Sequence, residues 1–234
     1  MSTENTGAIK ENIEKIKLRV AQAAQKSGRD PKDIKIIAVT KTVDTERIME
    51  AIGAGVTDVG ENRVQELCNK YDIIGTQCNW HLIGSLQTNK VKYIVDKVAM
   101  IHSLDRIELA EEIQKRAERI SRIVDVLVQV NVAKEETKSG IYLEQAYDFV
   151  KEVSQYGNIR IRGLMTIAPF AENPEEVRFV FRELYKLYID ISRKNTDNIS
   201  MDYLSMGMSN DFEVAIEEGS NMVRIGTAIF GRRY

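Results

Sequence analysis

The run Ile34-Lys35-Ile36-Ile37-Ala38-Val39-Thr40-Lys41 is apolar and β-branched, and it delivers a lysine where a buried strand should end. A lysine at the rim of an apolar core loses hydration. That disfavours the ammonium form and leaves a nucleophilic amine able to form a Schiff base with an aldehyde. The same residue is also satisfied if its head snorkels to solvent. Two further segments have the residue types of an anion cup, Leu204-Ser205-Met206-Gly207-Met208-Ser209 and Val223-Arg224-Ile225-Gly226-Thr227. Gly207 and Gly226 let backbone N–H groups approach an anion, and Ser205, Ser209 and Thr227 add hydroxyl donors. Taken singly, each segment is equally an ordinary turn with caps.

The composition sets limits on the chemistry. A chain of 234 residues with 43% hydrophobic residues can bury a full core, and its three prolines and lack of low-complexity tracts suit one compact domain over 1–234. Thirty-three basic and thirty-five acidic residues are dispersed, which excludes a basic stripe for nucleic acid. Met1 to Lys10 has no apolar leader core and no apolar run approaches membrane-spanning length, so a cytoplasmic protein is expected. Cys68 and Cys78 with His81 and His102 make a poor metal set, and the cysteines are expected to be reduced and structural.

The elements that must position Lys41 alternate along the chain. Ile9, Ile13, Ile16, Val20 and Ala23 recur at helical spacing up to Gly28 and Pro31, giving an N-terminal helix within about residues 1–30. Strands are expected at Ile34 to Lys41, Thr57 to Gly60, Trp80 to Gly84, Ala99 to Ser103, Ile123 to Val132, Ile159 to Met165, Asp202 to Met206 and Met222 to Ile225. Helices separate them. Asp44 caps one, Asp105 with Glu108 resembles a capping box for another whose Leu109, Ile113, Ala117 and Ile120 face inward, and Asn173-Pro174 opens a third. A helix is also expected from Thr88 to Val95, and a functional loop from Ala133 to Gly140. Eight strand–helix alternations predict a (β/α)8 TIM barrel with an extra N-terminal helix. A doubly wound sheet would usually place glycines after its first strand, where this chain has Thr40-Lys41-Thr42-Val43.

A barrel gathers its strand ends around one mouth, bringing together Lys41, Asn62, His81, Met165, Ser205 and Arg224. The two glycine segments follow strands seven and eight, where barrels commonly bind phosphate. A reactive lysine opposite a phosphate cup specifies a ligand with an aldehyde at one end and a phosphate at the other, and pyridoxal 5′-phosphate (PLP) fits.

The stretches AVTK at Lys41, DVGENRVQE at Glu61 and Asn62, WHLIGSLQTNK from Trp80, KSGI at Lys138, RGLMTI around Met165, LSMGMSNDFEVAI from Leu204 and VRIGTAIFG from Val223 resemble the pyridoxal phosphate homeostasis protein family, also called YggS/PROSC-like. The likeness covers nearly the whole chain. It implies the alanine racemase N-terminal barrel (PLP fold type III), Lys41 as the Schiff-base lysine, and Ser205, Gly226 and Thr227, with Ser209, as the phosphate holders. It also places Arg224 beside the pyridine nitrogen, where a permanent cation disfavours ring protonation and weakens the electron sink of PLP catalysis. Asn62 and His81 are candidates for lining the ring or its hydroxyl, and His81 is equally a satisfied core histidine. Met165 and Gly207 complete the cofactor-facing set, Met165 packing like Met206 and Met208. Lys138 is either a second amine serving cofactor transfer or a solvated loop lysine.

Two functions follow. The first is PLP storage, buffering or delivery to apo PLP-dependent enzymes, by a monomer or weak homodimer without turnover. The second is a PLP-dependent racemase or related enzyme. Racemisation needs an acid/base on each side of Cα, and in alanine racemase the opposing tyrosine comes from a second domain, which is not expected in a chain ending at Tyr234. A Schiff-base aldolase would need an acid partner, and no carboxylate pair near Lys41 clearly supplies it.

Overall fold

The computed structural model describes residues 6–194 and 198–231. The first five residues of the expected N-terminal segment lie outside them. Eight strands, β1 (Lys35–Val39), β2 (Asp58–Glu61), β3 (Asn79–Leu82), β4 (Met100–Leu104), β5 (Val124–Gln129), β6 (Ile159–Met165), β7 (Ile199–Met208) and β8 (Met222–Ile225), pair in parallel and in chain order. Pairing of β1 with β8 closes the barrel. The helices are α1 (Thr6–Lys26), α2 (Thr45–Gly53), α3 (Val64–Ile74), α4 (Ile107–Arg119), α5 (Ala146–Val153), α6 (Arg178–Ser192), α7 (Phe212–Glu217) and α8 (Thr227–Phe230).

Strand alternation divides the buried side chains into two sets. Ile37, Met100, Leu127, Met165 and Met222 form a small cluster inside the barrel, whereas Ala38, Val59, Leu82, Ile101, Val126 and Leu164 belong to the main core between strands and helices. The interior is thus filled, as a barrel of eight strands requires. Where β6 meets β7, a Cβ on Gly163 would come within 1.8 Å of the Tyr203 carbonyl oxygen, at φ +145, so only glycine permits this approach. The apolar face of α1 is buried as its spacing predicts, and the helix packs on α2, α7 and α8. Arg19 fastens it with two hydrogen bonds, at 3.1 and 2.7 Å, to the Glu213 carboxylate.

Several local expectations need correction. The segment expected as a helix from Thr88 is a 3-10 turn, Thr88–Tyr93, with Val91 its buried residue and no side-chain cap at Gln87. The Asp105–Glu108 capping box does not form, because the Asp105 carboxylate is bonded by Arg106 at 2.6 Å; Arg106 occupies the N-cap position without a capping bond. Ile120 lies beyond the end of α4 and is 47% exposed rather than inward-facing. Strand five stops at Gln129 instead of Val132, and strand seven runs longer than expected, to Met208. Asp44 does cap α2, accepting from the Arg47 N–H at 2.9 Å. Among the described residues no helix is long and apolar enough to cross a membrane and no metal-binding cluster occurs. Cys68 and Cys78 are unpaired.

Candidate functional site

Lys41 follows β1 by two residues, at the corner of a turn. The Val43 N–H donates to the Thr40 carbonyl at 2.9 Å, and Thr42 has φ +60. A positive φ at the third residue alone defines a type II turn with Lys41 in its second position. For a β-branched residue that conformation is strained, so the surroundings must hold it. They do so through α3. Lys70, 7% exposed, donates at 2.7 Å each to the Thr40 carbonyl, Glu61 Oε1 and Glu66 Oε1, which uses all three ammonium donors. Glu61 Oε1 also accepts from the Thr40 hydroxyl at 2.5 Å, and Glu66 accepts from the Thr42 N–H. Both backbone neighbours of Lys41 are therefore fixed by one buried ionic cluster. Burial pushes the Glu61 carboxyl up against the opposing effect of Lys70 and Thr40.

The Lys41 side chain itself is exposed. The expectation of a lysine desolvated at the core rim is corrected, because the strand ends at Val39 and the turn, starting from the buried Thr40, carries Lys41 and Thr42 past the apolar layer.

The cup forms where β7 and β8 end. Ser209 Oγ accepts from the Gly226 N–H at 3.2 Å and the Ala228 N–H at 3.4 Å. Two backbone donors at the start of α8 thus converge on one oxygen, the arrangement that suits an anion oxygen. Thr227, between them, is exposed and free of steric cover at the mouth. Gly207 has a packing reason: a Cβ there would lie 2.6 Å from Ala215 Cβ and 2.8 Å from Phe212 Cα, at φ +94. Glycine lets α7 close on β7.

Ser205 is not part of this cup. It is fully buried, with its hydroxyl between Arg224 Nη1 at 2.7 Å and His102 Nδ1 at 3.2 Å. His102 Nε2 lies 2.9 Å from His81 Nδ1, and His81 Nε2 lies 2.9 Å from Asp58 Oδ1. This chain joins side chains of β2, β3, β4, β7 and β8, and because β4 and β7 are not neighbours it crosses the barrel interior. Both ring nitrogens of His81 are engaged, so none remains for a ligand; its expected role at the cofactor ring moves to the core-histidine alternative. Met165, beside Ser205 in the strand register, packs in the interior cluster.

Arg224 is buried and makes no carboxylate bond among the described residues: its Nη2 donates to the Thr166 carbonyl at 2.8 Å. Burial lowers its guanidinium to about 10, with the Asp211 charge opposing, so it remains a cation at neutral pH. Burial also lowers His81 and, further, His102, keeping both rings neutral. Burial would raise Asp58, but hydrogen bonds from His81 and Thr57 and the charge of Lys35 outweigh it and hold the carboxyl well below its usual range.

A cavity of about 230 Å³ opens at the mouth, lined by Asn62, Ile83, Gln129, Asn131, Lys138 and Ile167. Asn62 Oδ1 is buried there and has no hydrogen-bond partner among the described residues. Lys138 is exposed on the loop after β5 and reaches this cavity. A larger cavity, about 690 Å³, lies at the opposite end, where β1 and β2 begin; its lining includes Ile13, Val20, Lys35, Val56, Asp58 and Tyr203. The strand ends, the Ser209 donors and the lysine turn lie at the same end of the barrel as the smaller one, which neither Lys41 nor Ser209 lines.

Asp58, Glu66 and Lys70 went unread in the sequence, and His102 was weighed only as a metal ligand. The i, i+4 spacing of Glu66 and Lys70 on a helix was the available signal for the ionic cluster. For the interior chain it was the fall of both histidines on consecutive strands at inward positions.

A closed parallel barrel whose strand ends carry a held lysine turn, two backbone donors on Ser209 and a buried arginine belongs to the alanine racemase class of barrels. The family model for the alanine racemase N-terminal domain matches residues 5–233. The chain belongs to that family and, within it, to the pyridoxal phosphate homeostasis proteins: the protein of that name from Aquifex aeolicus is 46% identical over 224 residues, 95% of this chain and 97% of its own. The Escherichia coli (strain K12) protein of that name is 37% identical over 96% of this chain and 97% of its own. PipY of Synechococcus elongatus, solved with PLP bound, superposes with a TM-score of 0.79 at 32% identity, over 91% of this chain and 100% of its own. Alanine racemase of Clostridium difficile shares the fold, with a TM-score of 0.69 at 18% identity, and this chain spans 57% of it.

Proposed function

We propose that this protein binds PLP at the barrel mouth and holds it in reserve for PLP-dependent enzymes, with Lys41 as the covalent anchor. The carrying observation is the convergence at one end of the barrel of the Lys41 turn and the Ser209, Gly226 and Ala228 cup. PLP bound to the related PipY supports the assignment. The residues suit the ligand: the two converging N–H groups and the Ser209 and Thr227 hydroxyls would hold the phosphate, and the unpartnered Asn62 Oδ1 would accept from the ring hydroxyl.

Bound PLP supplies an aldehyde for the lysine and, in enzymes, an electron sink. Lys41 in its neutral form is the amine that joins the aldehyde carbon, its nitrogen replacing the carbonyl oxygen, which leaves as water. Its exposure leaves the amine open to solvent and to incoming ligand. Arg224 would set a buried cation that stays protonated and can only donate hydrogen bonds beside the ring nitrogen, which disfavours protonating the ring, weakens the electron sink and favours storage over turnover. Ser205 serves this arginine rather than the phosphate.

In Ser209→Ala the cup loses a hydroxyl. PLP affinity is expected to fall about tenfold, the size of one charge-assisted hydrogen bond, measured by equilibrium dialysis. The test of carrier against racemase is incubation of the PLP-loaded protein with a panel of amino acids in D2O, followed by addition of an apo PLP enzyme. A carrier leaves Cα hydrogen unexchanged and restores activity to the apoenzyme. Rapid Cα exchange establishes the racemase-like alternative instead.

A further inference from the structure

The chain of groups through the barrel interior has a fixed direction, set at its far end. Asp58 Oδ1 accepts from Lys35 Nζ at 3.1 Å and Asn79 Nδ2 at 3.3 Å, and Oδ2 from the Thr57 hydroxyl at 2.7 Å. This carboxylate can only accept, so His81 must present Nε2–H to it. In a neutral ring His81 Nδ1 is then an acceptor, and His102 must present Nε2–H. His102 Nδ1 is in turn an acceptor and takes the Ser205 hydroxyl proton. Ser205 Oγ therefore turns its lone pairs to Arg224, which can only donate. Reversing the chain would set the bare Nε2 of His81 against an ionised carboxylate. Every link is satisfied in one direction alone.

We propose that Asp58, His81 and His102 are remote positioning residues for Arg224: the Asp58 carboxylate, at the opposite end of the barrel from the mouth, dictates through the two rings that Ser205 accepts from the guanidinium and so fixes the orientation it offers the cofactor. The function of Arg224 toward the ring rests on the PLP reading above; the polarity of the chain does not. Linked hydrogen bonds polarise one another, so the ionised Asp58 strengthens Ser205 as an acceptor for a buried cation that lacks a carboxylate bond. Asp58 also borders the 690 Å³ cavity, so in Asp58→Ala water can reach His81. Water accepts or donates and fixes neither direction.

The chain has only two histidines, so a long-range 1H–15N correlation spectrum of the apoprotein reports each tautomer directly. The wild type is expected to show both rings neutral and protonated at Nε2 at pH 7 to 8. The charged and titratable groups nearest the chain, Lys35 and Cys78 at Asp58 and Asp211 at Arg224, lie at its ends. Asp58→Asn keeps the size of the side chain but can donate as well as accept, so it and Asp58→Ala should both give a mixture with Nδ1–H forms at the two rings and about a tenfold loss of PLP affinity. An Nδ1–H ring or a histidine titrating near 6.5 in the wild type overturns the proposal, as does an Asp58→Ala protein with unchanged tautomers and affinity. The wild-type spectrum decides even if Asp58→Ala does not fold. Failure of the wild type to take up PLP, with the predicted tautomers present, refutes the function and leaves the chain's polarity intact.

Discussion

Lys41→Ala is expected to bind PLP without any reducible linkage and on the order of a hundredfold more weakly, about 2.7 kcal/mol on the affinity scale. The side chain is exposed at the corner of its turn and makes no packing contribution that its loss would forfeit, so the fold should persist. What remains is the proposed phosphate site, whose donors would be the Gly226 and Ala228 N–H groups and do not depend on the lysine. Pyridoxine 5′-phosphate, which lacks the aldehyde, separates these contributions. Titrations should give the same affinity for it in wild type and variant, while the wild-type advantage for PLP disappears. An equal loss for both ligands would mean that Lys41 acts as a charge for the phosphate.

Lys70→Met is expected to destabilise the protein by about 3–5 kcal/mol, the range found when one member of a buried ion pair is removed and the other charge is left uncompensated. The Lys70 side chain is 9% exposed and that of Glu61 0%. Glu61 Oε2 already lacks a partner, so loss of the ammonium would leave the carboxylate with the Thr40 hydroxyl and little else. Denaturant unfolding measures the loss. The variant should also react more slowly with PLP while still binding pyridoxine 5′-phosphate, because the Thr40 carbonyl loses its donor and Glu66 its nearest cation, freeing the strained Thr42. A Lys70→Met protein as stable as wild type would show that the cluster is solvated and holds nothing.

The barrel was legible because its signals are local. Each β-branched run, a cap such as Asp44 and the inward face of α1 reports itself within a few residues, whereas the Asp105 box, expected on the same kind of signal, does not form. The segments that meet where Ser209 accepts from the Gly226 and Ala228 N–H groups were singled out because turn chemistry is also local, yet Ser205, four residues before Ser209, was grouped with them. Strand alternation alone does not give depth, and depth separates the two: Ser205 is fully buried beside Arg224, whereas Ser209 reaches the α8 backbone. The interior chain was illegible for a related reason. His102 and Ser205 are separated by 103 residues and meet across the barrel, so no spacing in the sequence encodes their contact. The exposure of Lys41 follows from where α3 captures Thr40, again a contact between elements.

Borohydride reduction of the wild-type protein incubated with PLP, followed by peptide mass mapping, tests the central claim most directly. The pyridoxyl mass is expected on the peptide containing Lys41, with the yellow absorbance lost on reduction. Label on Lys138 or another lysine, or no label at all, would contradict it.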